Sequence, residues 1–341
     1  MTTFPSAAPW AERVTTSTGA APVPHPDQGA RPFRFGIQAS ALPGGTDAAG
    51  WRALARRVED LGYATLTVAD HLDDQLAPMP ALMAVADATT TLRIGTLVSN
   101  NDFRHPVVLA KELATVDLLS GGRLEAGIGA GWESGDYTSS GMVLDPPGLR
   151  IERLAEAVDV ITGLWGDGPV DHQGTHYQVT GLDGRPKPHQ RPGPPLLLGG
   201  GGRRMLSLAG ARADIVGLNV SLAKGVIDAD AGPDATADAT LRKLAWVAAA
   251  AGDRWAAIEL QVRVHLAMIT DDRTGAADML AGGFGLTPAD ALASPHALVG
   301  TVEEVVDDLV ERRARYGISY VGLSVDAVDD FAPVVARLAG R

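Results

Sequence analysis

The strongest constraint on this chain is an alternation. Eight short apolar or β-branched runs, at 34–40, 64–71, 92–101, 123–132, 194–200, 214–219, 257–270 and 318–326, are separated by stretches with helical spacing. In 150–165, for example, Ile151, Leu154, Val158, Ile161 and Trp165 fall on one face. Thr301 and Glu304 form a capping-box pattern, Val302, Val305, Val306, Leu309 and Val310 follow on one expected face, and Gly317 ends that helix. Several runs are apolar almost throughout, as parallel strands buried on both faces should be. The pattern predicts an α/β fold, a (β/α)8 TIM barrel with insertions over 33–341, with its site at the C-terminal ends of the strands. A doubly wound open sheet shares the alternation and is the alternative.

The remaining segments read as additions to this frame. Residues 1–32, rich in Pro, Ala, Ser and Thr, are expected to form a flexible N-terminal arm. Residues 170–179 suggest an inserted hairpin with Gly174 in its turn. The polar or Gly/Pro-containing stretches 225–240 and 271–297 are expected to be loops and candidates for an active-site flap.

Composition removes several functions. The chain has no cysteine, which excludes disulfides, thiolate metal sites and a cysteine nucleophile. Its net charge of −12 and the lack of any long basic run argue against a general nucleic-acid binder. No apolar run is long enough for a membrane span, and the N-terminus has no signal-peptide pattern. A small-molecule substrate and a cytoplasmic location are the expectation.

The strand ends then define the chemistry. They carry Gln38; Asp70 and His71; Asn100 and Asn101; Gly129, Gly131, Trp132 and Glu133; Gly199, Gly200, Gly201 and Gly202; and Asn219. None of the four lysines sits on a strand end, so a Schiff-base enzyme is not indicated. His172 and His176 lie in the hairpin, a poor setting for a metal pair, and no metal is expected. Many glycines, amides, one histidine and one tryptophan suit a flat ring plus a phosphate, hence a cofactor enzyme. The run GGGGRR, residues 199–204, lets the backbone approach an anion at the start of a helix, with Arg203 and Arg204 adding charge. The plain alternative is a turn with two solvated arginines. His71 suits a proton relay near neutrality, or is a buried histidine satisfied by Asp70 or a carbonyl.

Taken in order, LGYATLTVADH (61–71), IGTLVSNNDFRHPVVLAKELATVDLLSGGRLEAGIGAGW (94–132), RIERLAEAVDVITGLW (150–165) and PPLLLGGGGRRMLSLAGARADIVGLN (194–219) resemble the luciferase-like monooxygenase superfamily. The likeness is greatest to its branch that uses the 5-deazaflavin coenzyme F-420. The resemblance implies a (bacterial luciferase-like) barrel, often a homodimer, with a deazaflavin or flavin across the strand ends. It places Asp70 and His71 beside the reactive ring edge as catalytic residues. It places a cis peptide at Leu97–Val98 behind the ring, supported by Asn100 and Asn101. Gly199 to Gly202, Arg203 and Arg204 fall on its phosphate site, with Gly129, Gly131 and Trp132 along the cofactor; Gln38, Glu133 and Asn219 are left for substrate. The sugar-phosphate dehydrogenases of that branch carry a tryptophan soon after the strand-two histidine, where this chain reads LDDQLAP, and a glutamate where it has Trp132. The expected function is coenzyme F-420-dependent hydride transfer with a small organic substrate. The alternatives are a monooxygenase using reduced FMN and oxygen, and a non-catalytic relative.

Overall fold

The structure is a computed structural model, and it describes residues 2–3, 31–42, 45–222, 224–225 and 229–341. Eight parallel strands form a closed ring: β1 (Arg34–Gln38), β2 (Thr65–Val68), β3 (Arg93–Thr96), β4 (Leu124–Gly129), β5 (Leu196–Gly200), β6 (Ile215–Leu218), β7 (Glu259–Arg263) and β8 (Ile318–Ser324). Neighbours in sequence are neighbours in the ring. Tyr320 to Ser324 of β8 align with Arg34 to Gln38 of β1, and Ile94 and Gly95 of β3 with Leu124 and Glu125 of β4. The closed barrel is therefore the correct reading and the open sheet is not.

Helices α1 (Ala48–Asp60), α2 (Pro78–Ala88), α3 (Pro106–Leu119), α4 (Pro147–Trp165), α5 (Arg203–Arg212), α6 (Ala237–Ala251), α7 (Val302–Tyr316) and α8 (Ala332–Leu338) follow the strands in turn. Their ends obey local chemistry. The Asp47 carboxylate accepts from the Gly50 amide at the start of α1, at 2.6 Å. Thr301 and Glu304 close the expected capping box of α7. The buried face of α7 is Val305, Leu309, Arg312 and Tyr316, so Val310 lies off that face and is exposed, contrary to expectation. A continuous core joins strand residues such as Phe35, Leu66, Ile94 and Leu198 to inward helical residues such as Val58, Leu113, Ile161 and Val305.

Two expected strands break. The run 92–101 divides into β3 and a short piece, Ser99–Asn100, that pairs with Ile128 and Gly129. The run 257–270 leaves the barrel after Arg263, and Leu266–Ile269 pairs instead with Ala297–Gly300. Both halves of each run are largely buried or half-buried, so hydropathy alone shows no break. Residues 271–297 are not a loop: they form helices Arg273–Phe284 and Pro288–Ala293, packed on the two-stranded sheet around Leu280, Ala291 and Val299. Part of 225–240 is helical, with Ala229–Asp234 in a 3-10 turn, while 226–228 lie outside the described residues. A short helix, Ser134–Ser140, is not foreseen in the sequence. The hairpin is present as Val170–Gln173 and Gln178–Leu182. Thr2–Thr3 runs parallel to Val170 and Asp171, and the rest of the expected arm through residue 30 lies outside the described residues.

The N-terminal ends of the strands are closed by charge. Arg34 of β1 pairs with Glu125 of β4 at 2.5 Å and Glu259 of β7 at 2.6 Å, and Arg93 of β3 meets Glu125 at 2.7 Å. The Tyr320 ring lies 4.0 Å from the Arg34 guanidinium carbon. This plug leaves the opposite ends of the strands as the open mouth.

Candidate active site

The mouth holds a cavity of about 730 Å³. That is ample for a cofactor-sized ligand. Its wall includes Gln38, Asp70, His71, Leu97, Val98, Asn100, Gly129, Gly131, Trp132, Gly199 to Gly202, Arg204 and Asn219. Asn101, Glu133 and Arg203, which were expected to join them, do not line it. Asn101 is buried and donates to the Tyr177 hydroxyl at 3.2 Å. Glu133 begins the helix Ser134–Ser140, where its carboxylate accepts from the Gly135 amide.

The Leu97–Val98 peptide is cis, as the resemblance implies. Three contacts fix the chain around it. The Leu97 amide donates to the Val68 carbonyl at 2.9 Å, the Gln38 side-chain amide donates to the Leu97 carbonyl at 2.7 Å, and the Asn100 amide donates to Asp70 at 3.0 Å. Gln38 therefore braces the bulge rather than standing free for substrate. The glycines opposite make room for it. A Cβ on Gly127 would run into the Thr96 carbonyl, and one on Gly129 into Val98. At Gly131, where φ is +75°, a Cβ would meet Tyr137 and Asn100.

Asp70 is not the free acid that its position suggests. It is buried, receives Arg104 at 2.5 Å and holds the Asn100 amide. Its carboxylate positions the loop through Arg104 and the Asn100 amide. His71 is partnered by Asp136, not by Asp70 or a carbonyl: Nδ1–H donates to the Asp136 carboxylate at 2.8 Å. The other Asp136 oxygen accepts from the Leu72 amide at 2.9 Å. This arrangement fixes the tautomer and leaves Nε2 for the cavity. The Trp132 ring stands edge-on to the imidazole, 5.7 Å between centroids.

The glycine run divides by position. Gly199 lies against Gly217 of β6, and a Cβ on Gly201 would strike the Val220–Ser221 backbone, so these glycines serve packing. Gly202 meets nothing within 4 Å. It is the N-cap of α5, and no side chain caps that helix. Arg204 leans across Gly148 and pairs with Glu152 at 2.5 Å.

Sequence reasoning missed Asp136, Arg150, Arg263 and His265. Arg150 of α4 donates to the carbonyls of Asp145, Ala130 and Gly131, tying the end of β4 in place. Arg263 ends β7 and donates to the Ser324 hydroxyl at 2.7 Å. Burial pushes its guanidinium down to about 10. His265 donates from Nε2 to the Asn219 side-chain oxygen at 2.7 Å, and Asn219 thereby orients it. His265 is exposed, yet the protein packed beside its ring, with Arg263 next to it, lowers its pKa to about 4. Only the position of Arg263 and His265 at the end of a strand could have pointed to them, and the break after Arg263 hid that end. His172 and His176 do not form a metal pair; Nε2 of the first and the amide of the second both meet Glu156. Among the described residues no cluster of three or more metal-binding side chains occurs, and no helix is long and apolar enough to cross a membrane.

The fold is a closed parallel (β/α)8 barrel whose strand ends surround one deep cavity. The family model for luciferase-like monooxygenases matches residues 32–319, and the chain belongs to that family. It is 32% identical over 192 residues to an F420-dependent glucose-6-phosphate dehydrogenase of Microbacterium testaceum, covering 54% of this chain and 55% of that protein. It is 36% identical over 127 residues to the oxygenase component of a flavin-dependent trigonelline monooxygenase of Acinetobacter baylyi, covering 36% and 34%. The chain thus spans about half the length, or less, of these curated relatives. Among solved structures, the coenzyme F420-dependent tetrahydromethanopterin reductase of Methanopyrus kandleri superposes with a TM-score of 0.69 at 20% identity, over 90% of this chain and 100% of that one. This last likeness is one of fold.

Proposed function

We propose that the protein is an oxidoreductase that binds coenzyme F-420 in the barrel mouth and exchanges a hydride with a small carbonyl, imine, activated alkene or the reduced counterpart. The observation that carries this reading is the His71–Asp136 pair on the same cavity as the uncapped N-terminus of α5. The first suits a proton relay and the second an anion. The F420-dependent dehydrogenases among the relatives support the choice of coenzyme. Bound there, a deazaflavin supplies two-electron hydride chemistry.

The protein's own residues do the rest. The N-terminus of α5 at Gly202, which no side chain caps, with Arg204 alongside, would hold the phosphate. Val98 and the glycines facing it would support the ring. When a substrate C–H gives up its hydride and the adjoining O–H or N–H its proton, His71 Nε2 takes that proton; in the reverse direction it returns it. Asp136 keeps Nδ1 protonated and steadies the charged imidazolium. The departures at 72–78 and at Trp132 argue for a substrate other than a sugar phosphate. A homodimer and a cytoplasmic location accompany this reading.

The trigonelline monooxygenase match favours a second reading, reduced FMN with oxygen, in which the same walls shield the ring from water. Absorbance titration of the purified protein separates the two. Saturable F-420 binding without FMN binding supports the first; FMN binding alone overturns it.

A further inference from the structure

Among the described residues, two arginines on the cavity wall form no ion pair, Arg150 and Arg263, and Arg150 is spent on the carbonyls of Asp145, Ala130 and Gly131. Arg204, also on the wall, pairs with Glu152. Arg263 pairs with no carboxylate of the described residues. Its Nη1 donates to the Val264 and Gly322 carbonyls at 3.1 and 3.4 Å, and its Nη2 to Ser324. Among the described residues one Nη2–H and the Nε–H have no acceptor, and Nε is not sealed from solvent. A guanidinium taken largely out of water and left unpaired is costly, so such a group normally serves an anion that arrives later.

The surroundings indicate which anion. The neighbouring histidine stays neutral, so the site offers a single positive charge and two free N–H groups. That matches a carboxylate, which one guanidinium can hold through two bonds. Asp326, also on this cavity, has no ion-pair partner among the described residues and disfavours a dianion. The phosphate corner at α5 follows β5, two strands round the ring from β7.

We infer that Arg263 anchors a carboxylate on the substrate, so that the reactant meeting the coenzyme is a small organic acid. The inference rests on the function proposed above for the location of the coenzyme, but the anchor itself is tested without it.

The full-length protein is titrated with acetate, succinate and benzoate, each against its uncharged amide, by calorimetry, with and without saturating F-420. At least one carboxylate should bind at least tenfold more tightly than its amide. Arg263→Gln should abolish that preference and leave F-420 affinity within twofold. Arg263→Lys, which keeps the charge but loses the planar fork, should retain part of it, and it carries the test if the glutamine variant does not fold. If no acid outbinds its amide, or the preference survives in Arg263→Gln, the anchor is wrong. If Arg263→Gln instead weakens F-420 and spares the acids, the arginine serves the coenzyme and the inference falls. Carboxylate preference in a protein that binds no F-420 would keep the anchor and overturn the choice of coenzyme.

Discussion

Asp136 and His71 are 65 residues apart in sequence and 2.8 Å apart in space. The carboxylate comes from a short helix after β4 and the imidazole from the end of β2, so the pair spans the intervening strand.

That pairing sets the first prediction. His71→Ala should lower turnover by about 10²–10⁴-fold. Asp136→Asn should lower it as well, because the amide can stabilise the wrong tautomer. Cofactor affinity should change little in either variant. Steady-state rates across pH 5–9, with a cofactor titration of each protein, check this; loss of affinity in step with turnover would mean the pair only packs beside the ring.

The glycine run gives the second. Gly202→Val should weaken cofactor binding at least tenfold without lowering thermal stability, since its Cβ meets open space in this structure. Gly201→Val should lower the melting temperature, since its Cβ meets backbone. Equal cofactor affinity in folded Gly202→Val would reduce the run to a turn.

The charged plug at the base gives the third. Glu125→Ala would leave Arg34 and Arg93 facing each other without it. Breaking a buried pair in this way costs about 3–5 kcal/mol. Urea unfolding should register a loss of that order, and a loss below about 1 kcal/mol would show that water or Glu259 compensates.

The fourth concerns pH. Burial lowers the pKa of His296 to about 3, and desolvation by the adjoining protein, with Arg263 beside it, lowers that of the exposed His265 to about 4. In the unfolded chain both take up a proton near pH 6.5, while the native state does so only near those lower values. Their contribution is therefore complete above about pH 6.5 and declines as the pH falls towards 4 and 3. Melting temperatures at pH 7 and pH 5 should differ, and His296→Gln should narrow the difference. An unchanged difference in that variant would exclude His296 as a source.

The sequence showed the barrel because each strand–helix unit carries its own local signal. The capping box of α7 was legible for the same reason, lying within four residues. The mouth was legible where strands end in unusual residues, His71 and the glycine run, while the cis Leu97–Val98 peptide followed only from the family resemblance. It was not legible where function depends on a partner distant in sequence. Nothing near His71 announces Asp136, and nothing near Gln38 shows that its amide holds the Leu97 carbonyl. Asp70 looked reactive because its neighbour is a histidine, but Arg104 settles its role. Arg263 and His265 were obscured because one apolar run covers both β7 and the strand that departs from it.

The segment from Leu266 to Gly300 carries its own two-stranded sheet, two helices and a separate apolar cluster, and it joins the barrel immediately after Arg263 and His265. It behaves as a cassette plugged into the rim. Leu298 ties it to the main core, while its two helices pack on its own sheet, so changes confined to those helices would reach the two side chains at its entry before the ring of strands. The chain can thus alter what it accepts while the scaffold stays constant, and a laboratory search for new substrates has a bounded stretch in which to begin.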